Sequence, residues 1–174
     1  KLNTMVEKLL ETAALDRSDY TLDKKETDIG DLLNKIIKKY SVLAQEKQFS
    51  FAVPKTPILH NVDAFHFENA INNLLDNAVK YGGANISIEL SNSDNELSIK
   101  IADDGKIIPK QHQQKIFEKF YRIPTGNIHP VKGFGIGLFY TRSIIEKHGG
   151  TVTLENKQQS ESFNTVFIIR LKNE

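Results

Sequence analysis

The chain has 174 residues, 39% hydrophobic and 26% charged, which reads as one globular domain with at most a short appendage and excludes a disordered segment. Its 23 Lys and Arg against 22 Asp and Glu leave a net charge of +1, too little for a non-specific binder of nucleic acid or of a membrane surface. With no cysteine there is no disulfide framework or thiolate chemistry, and no apolar run approaches the roughly 20 residues of a spanning helix.

At the start, Leu2, Val6, Leu9 and Ala13 recur at steps of four, three and four, the narrow seam of a bundle helix. No capping residue precedes Leu2, so residues 1–19 are expected to be the end of a longer helix packed on a partner helix. An amphipathic arm folded onto its own domain is the plainer alternative. Tyr20–Lys25 then reads as a short strand. Ile29, Leu32, Leu33, Ile36, Ile37, Tyr40, Leu43 and Ala44 give a helix from near Asp28 a broad apolar face. Phe49, Phe51 and Val53 alternate as a strand until Pro54, and a second short strand is expected near Ile58–Val62.

Asp63 is the expected N-cap of a helix reaching Tyr81 and ended by Gly82-Gly83. Ile86, Ile88, Leu90 and Leu97, Ile99, Ile101 then alternate on either side of a polar turn, which predicts a hairpin. The pattern is irregular from Asp103 to Gly137, except for a short helix over Gln111–Phe120. A helix over Leu138–His148 closes at Gly149-Gly150. Val152 and Leu154, then Val166, Ile168 and Arg170, mark two last strands. Locally pairing strands among three main helices predict an α+β, two-layer sandwich.

Three features carry chemistry. On the helix from Asp63, Asn69, Asn73, Asn77 and Lys80 fall within an arc of roughly 80° at about 100° per residue, opposite Phe67, Ile71, Leu74, Leu75 and Ala78. Asn is a poor helix former, so a stripe of amides is unusual, although a solvated polar face would also account for it. An amide oxygen suits Mg²⁺, which keeps its waters and takes phosphate ligands, so Asn77 with Lys80 beyond it fits a metal-bridged polyphosphate. Asp103-Asp104-Gly105 follows the strand ending at Ile101. A carboxylate there can accept from an exocyclic amine, whereas taken alone the segment is more simply read as a plain Asp-Gly turn. Gly133-Phe134-Gly135-Ile136-Gly137-Leu138 precedes a helix and can turn its N–H groups toward an anion, but it is neither a Walker-A nor a dinucleotide-binding pattern. The five histidines show no metal-ligand spacing, and most are expected at the surface or as caps.

The order of these features is more telling than any one of them. Asn-x-x-x-Asn-Ala-x-Lys-Tyr, Asp-x-Gly, Phe-x-x-Phe-x-Arg, Gly-x-Gly-x-Gly-Leu and a helix ending His-Gly-Gly together resemble the catalytic, ATP-binding domain of two-component sensor histidine kinases. The resemblance covers residues 20–174. It implies a Bergerat-type fold, a mixed sheet covered on one face by three helices, with ATP between the helix layer and a lid. It further implies Mg²⁺ on Asn77, phosphate contacts from Asn73, Lys80 and Arg122 as the catalytic set, and Tyr81 against the adenine. Asp103 would accept from the adenine amino group, Gly105 would allow that approach, and Ile108 and Leu138 would line the pocket. Gly133, Gly135 and Gly137 would form the phosphate cradle and far hinge of a lid over Ile123–Lys132, with Phe117 and Phe120 anchoring it. Asn73 stands where ATPase cousins carry a catalytic glutamate, which favours kinase over hydrolase.

Residues 1–19 resemble the second helix of the family's dimerisation and phosphoacceptor hairpin. The implied partners are that hairpin, a response-regulator receiver domain and, in the full-length protein, a second copy in a homodimer. Neither nucleic acid nor membrane contact is implied for this part, which would be cytoplasmic, with the parent anchored in the inner membrane. One position departs from the pattern: Ile107 replaces a usual glycine. It leaves a nucleotide-sensing module without transfer as the alternative, and a Ser/Thr kinase of the anti-sigma type is a third reading.

Overall fold

The computed structural model describes residues 13–14, 20–93, 95–124, 133–156 and 163–173. The expected bundle helix lies outside these except for Ala13 and Ala14, which are helical, and so does most of the expected lid.

Asp28 opens the first long helix, α1 (Ile29–Leu43), by accepting from Gly30 N at 2.9 Å and Asp31 N at 3.3 Å. Ile29, Leu32, Leu33, Ile36, Ile37 and Tyr40 are buried, as their three- and four-residue spacing requires. Leu43 is not: it is 69% exposed in the last turn, and the C-cap Ala44 takes the buried place. Asp63 caps α2 (Ala64–Tyr81), accepting from His66 N at 3.2 Å. Phe67, Ala70, Ile71, Leu74, Leu75 and Ala78 are its buried face. The helix stops at Gly82 as expected, but Gly82 is extended (φ −73°, ψ 168°) rather than left-handed. A Cβ there would lie 2.3 Å from Ala78 O and 2.8 Å from Asp103 Cβ, so the glycine supplies room and not a positive φ.

The third helix, α3 (Gly137–Lys147), ends on His148, and Gly149 turns the chain at φ +78°. His148 is buried; its Nε2 accepts from Asp63 N at 2.9 Å and its Nδ1 donates to Ile144 O at 2.8 Å. Burial lowers its pKa, so the ring stays neutral and ties the end of α3 to the start of α2. His66 likewise bridges two hydroxyls, Tyr20 at 2.6 Å and Tyr140 at 2.7 Å.

Five strands form one mixed sheet in the order β2 (Gln48–Ala52), β4 (Asn85–Asn92), β5 (Glu96–Asp103), β7 (Thr165–Lys172), β6 (Thr151–Asn156). Only β2 and β4 run parallel. Ile86, Ile88, Leu90, Leu97, Ile99 and Ile101 are buried with all three helices in one core. Each such side chain contributes roughly 1.5–3 kcal/mol by leaving water, which fixes the two layers. A separate antiparallel pair joins β1 (Lys25–Asp28) to β3 (Leu59–Val62). Among the described residues no helix is long and apolar enough to cross a membrane.

Two expectations are corrected. The first strand is Lys25–Asp28 and not Tyr20–Lys25; Tyr20 and Leu22 pack partly buried against the core before the strand begins. The helix expected over Gln111–Phe120 is two 3₁₀ turns, Lys110–His112 and Lys115–Phe117, where only Ile116 and Phe117 are buried and no helix-long apolar face exists. In β7 the residues that enter the main core are Phe167, Ile169 and Leu171; Val166 and Ile168 form a small cluster with Ala102 apart from it. Both faces of that strand are buried, so alternation alone did not select the core side.

Candidate functional site

Strand β5 delivers Asp103 to the end of the sheet, where α2 also ends. Asp103 is 7% exposed and accepts from Gly105 N at 2.9 Å. A Cβ on Gly105 would stand 2.6 Å from Gly82 Cα and 2.7 Å from Tyr81 O. The turn after β5 therefore packs directly on the helix end, and the protein's own backbone requires the glycine. Asp104 faces elsewhere, accepting from Asn85 N at 2.8 Å and Asn85 Nδ2 at 2.6 Å. The Asp-Gly turn bond is thus made by Asp103 Oδ1, while Asp104 is spent on Asn85.

The segment is clamped from both sides. Asn164 Nδ2 donates to Gly105 O at 2.8 Å and to Asp104 O at 3.3 Å, while Lys47 Nζ donates to Gly83 O at 2.7 Å and Gly82 O at 3.2 Å. Sequence reasoning missed both clamps, because their partners lie 35 to 60 residues away and no spacing marks them. Burial pushes the Asp103 carboxyl up to about 6; the Gly105 bond pulls the other way, Asp104 adds to the rise and Lys47 opposes it. Burial also works against the charge of Asp104, yet its two bonds from Asn85 hold that carboxyl below the usual range. A carboxylate stripped of water, as Asp103 is, is a strong acceptor for an N–H donor entering the cleft.

Along α2, Asn69, Asn73 and Asn77 are half-buried, and Lys80 and Tyr81 are exposed. The glycine loop lies against this stripe. A Cβ on Gly137 would sit 3.2 Å from Asn73 Oδ1, and one on Gly133 would sit 3.6 Å from the Tyr81 hydroxyl. Gly135 acts differently. At φ +68°, its Cβ position would meet Phe120 C and Tyr121 O, each at 2.7 Å. Phe120 N donates to Gly135 O at 2.9 Å, and Phe120 itself has φ 66°. The two ends of the expected lid are thus joined through backbone. Phe117 anchors this region by burial, with its ring 6.2 Å from that of Phe167. Phe120 is 56% exposed, so its anchoring comes from its backbone and not from its side chain.

Helix α3 begins without a side-chain cap, which leaves its first N–H groups available to an anion. Ile108 and Leu138 pack partly buried against the core, as pocket-lining residues would. Arg122 is exposed. Ile107 is 41% exposed, and Phe120 alone among the described non-glycine residues has a positive φ. The backbone at Ile107 therefore needs no glycine, which removes the ground for reading the position as a degenerate one. Among the described residues no three His, Cys, Asp or Glu side chains group to hold a metal ion. The amides of α2 instead suit a hard cation that brings phosphate and water ligands with it.

The sequence profile of the histidine kinase-, DNA gyrase B-, and HSP90-like ATPases matches residues 62–174, the stretch that holds α2, Asp103 and the glycine loop. The chain belongs to that family. Sensor protein RprX of Bacteroides fragilis (strain YCH46) is 38% identical over 178 residues, covering 98% of this chain and 34% of RprX. The chain thus spans about a third of that relative's length. Full-length ShkA, solved in complex with AMPPNP, matches with a TM-score of 0.79 at 23% identity, over 98% of this chain and 35% of ShkA. Histidine kinase ThkA, solved with the response regulator protein TrrA, matches at 0.78 and 21%, over 99% of this chain and 47% of ThkA. At these identities the structural matches establish that this family member has the histidine-kinase ATPase-domain fold.

Proposed function

We propose that this domain binds Mg-ATP between Asp103 and the glycine loop and delivers the γ-phosphoryl to a histidine of a dimerisation hairpin, for relay to a response-regulator aspartate. The reading rests on one observation: the turn after Asp103 and the start of α3 both lie against α2, through the close approaches of Gly105 to Gly82 and of Gly137 to Asn73. The AMPPNP complex of ShkA supports the nucleotide, and the ThkA–TrrA complex supports the receiver partner.

In this scheme Asp103 accepts from the adenine amino group, Tyr81 lies along the ring, and Ile108 and Leu138 close its edges. Asn73, Lys80 and Arg122 meet the phosphates as hydrogen-bond and charge donors. Gly133, Gly135 and Gly137 let backbone N–H groups at the start of α3 do the same. Asn77 would hold Mg²⁺, which would supply positive charge to offset that of the phosphates. The amide of Asn73 cannot take a proton from water as a carboxylate would, so the cleft favours handing the phosphoryl to an oriented side chain over hydrolysis. Residues 1–19 would be the end of the hairpin's second helix and 20–174 the catalytic domain. The parent would be a homodimer anchored in the inner membrane, with this domain in the cytoplasm.

The test is twofold. Calorimetric titration with ATP and ADP, with and without Mg²⁺, is expected to show binding that tightens with the metal. A chain extended by the phosphoacceptor hairpin is then expected to acquire label from γ-labelled ATP on histidine. Binding without any transfer would return the domain to a sensing role.

A further inference from the structure

Lys80 is the one cation on the amide stripe of α2, and something must decide where its flexible four-carbon stem points. Among the described residues Lys80 pairs with Asp76, one turn earlier, whose Oδ2 lies 3.8 Å from Lys80 Nζ. On the helix Asp76 falls about 60° to one side of Asn73 and Lys80 about 20° to the same side, so the carboxylate borders the stripe. Its other oxygen is held: Tyr40 of α1 donates its hydroxyl to Asp76 Oδ1 at 2.7 Å, shared with Asn72 O at 3.0 Å. Tyr40 is 6% exposed, a core residue with its phenol tip directed at α2. Burial, then the bond to Asp76, raises its pKa, so the phenol keeps its proton and remains the donor.

We propose that Asp76, fixed by the Tyr40 hydroxyl, is a positioning residue that keeps the Lys80 ammonium over the phosphate side of the cleft; this rests on the nucleotide reading above. The arrangement suits that role because it is weak. A half-exposed pair at 3.8 Å confines the lysine but is too feeble to compete with a polyphosphate, and an ammonium has three donors to share between the two. The plainer role for an Asp-Lys pair at this spacing is to support the helix, and the two roles separate by ligand.

The experiment compares ATP with adenosine, which lacks the phosphates, on the full chain with Mg²⁺ present, for Tyr40→Phe and Asp76→Asn, each also in a Lys80→Met background. Both substitutions are expected to weaken ATP roughly three- to tenfold, to leave adenosine within a factor of two, and to have no further effect once Lys80 is replaced. Thermal melting of each variant keeps loss of fold apart from loss of affinity. Equal losses for ATP and adenosine, equal losses with and without Lys80, or no loss at all would each overturn the assignment while the nucleotide reading stands. Failure of the unaltered chain to bind either ligand would overturn both.

Discussion

The two ends of the candidate site are built on different principles. Around Asp103 nearly everything is backbone held in place: Asn164 and Lys47 clamp carbonyls, Asn85 fixes Asp104, and Gly82 and Gly105 meet at contact distance. Around Asn73, Asn77 and Lys80 the polar groups are side-chain tips, half-buried or exposed, beside an uncapped helix start. The Asp103 end is preorganised and presents one acceptor. The other end presents many weak donors that gain strength only when a multiply charged ligand brings them together. Such a division suits a ligand with a rigid neutral ring and a flexible anionic tail.

The sharpest way to break this contrast is Asp103→Ala. It is expected to weaken ATP on the order of 100-fold, from a lost hydrogen bond to a charged group in a dry pocket. The same variant should melt close to the parent temperature, since burial already disfavours the Asp103 charge. Calorimetry beside a melting curve checks both, and affinity within threefold of the parent would mean that the acceptor lies elsewhere. Gly105→Ala tests the rigidity itself. Its Cβ has no room against Gly82 Cα and Tyr81 O, so a destabilisation of about 1–3 kcal/mol is expected in denaturant unfolding, together with weaker nucleotide binding.

At the other end the expected effects are smaller and depend on the ligand. Asn77→Ala should weaken Mg-ATP about tenfold and metal-free ATP hardly at all; equal losses would remove Asn77 as the metal ligand. The smallest expected effect sharpens the comparison through pH. The folded pKa of Asp103 is raised from 3.8 to about 6, so its ionisation lowers the stability of the empty domain as pH rises through that window. A donor that bonds the carboxylate reverses this penalty. ATP affinity should therefore fall roughly fourfold between pH 7 and 5.5, as the ionised fraction drops, and Asp103→Asn should flatten the profile. A profile unchanged by that substitution would assign the titration to another group.

Much of this was legible along the chain, for local reasons. Asp28 and Asp63 announce their helices because an N-cap bonds residues two or three positions away. The hairpin of β4 and β5 declares itself because one face is buried and the alternation is clean. Where apolar residues are too few for a face, as at Lys110–Phe117, the pattern loses its meaning and the expected helix fails; where both faces are buried, as in β7, it marks the strand without saying which face meets the main core.

By itself the sequence determined the three main helices, the hairpin, the amide stripe on α2 and the ordered motifs that place the chain in its family, because each depends on spacing within one element. Only the tertiary structure decided that Asp104 is consumed by Asn85 while Asp103 lies buried against the end of α2. It also decided that Gly82 and Gly105 are there for each other, that Gly135 locks onto Phe120, and that Tyr40 reaches Asp76 from another helix. Those are contacts between residues distant in the chain, and their free energy comes from close packing and hydrogen bonds that exist only once the layers have closed.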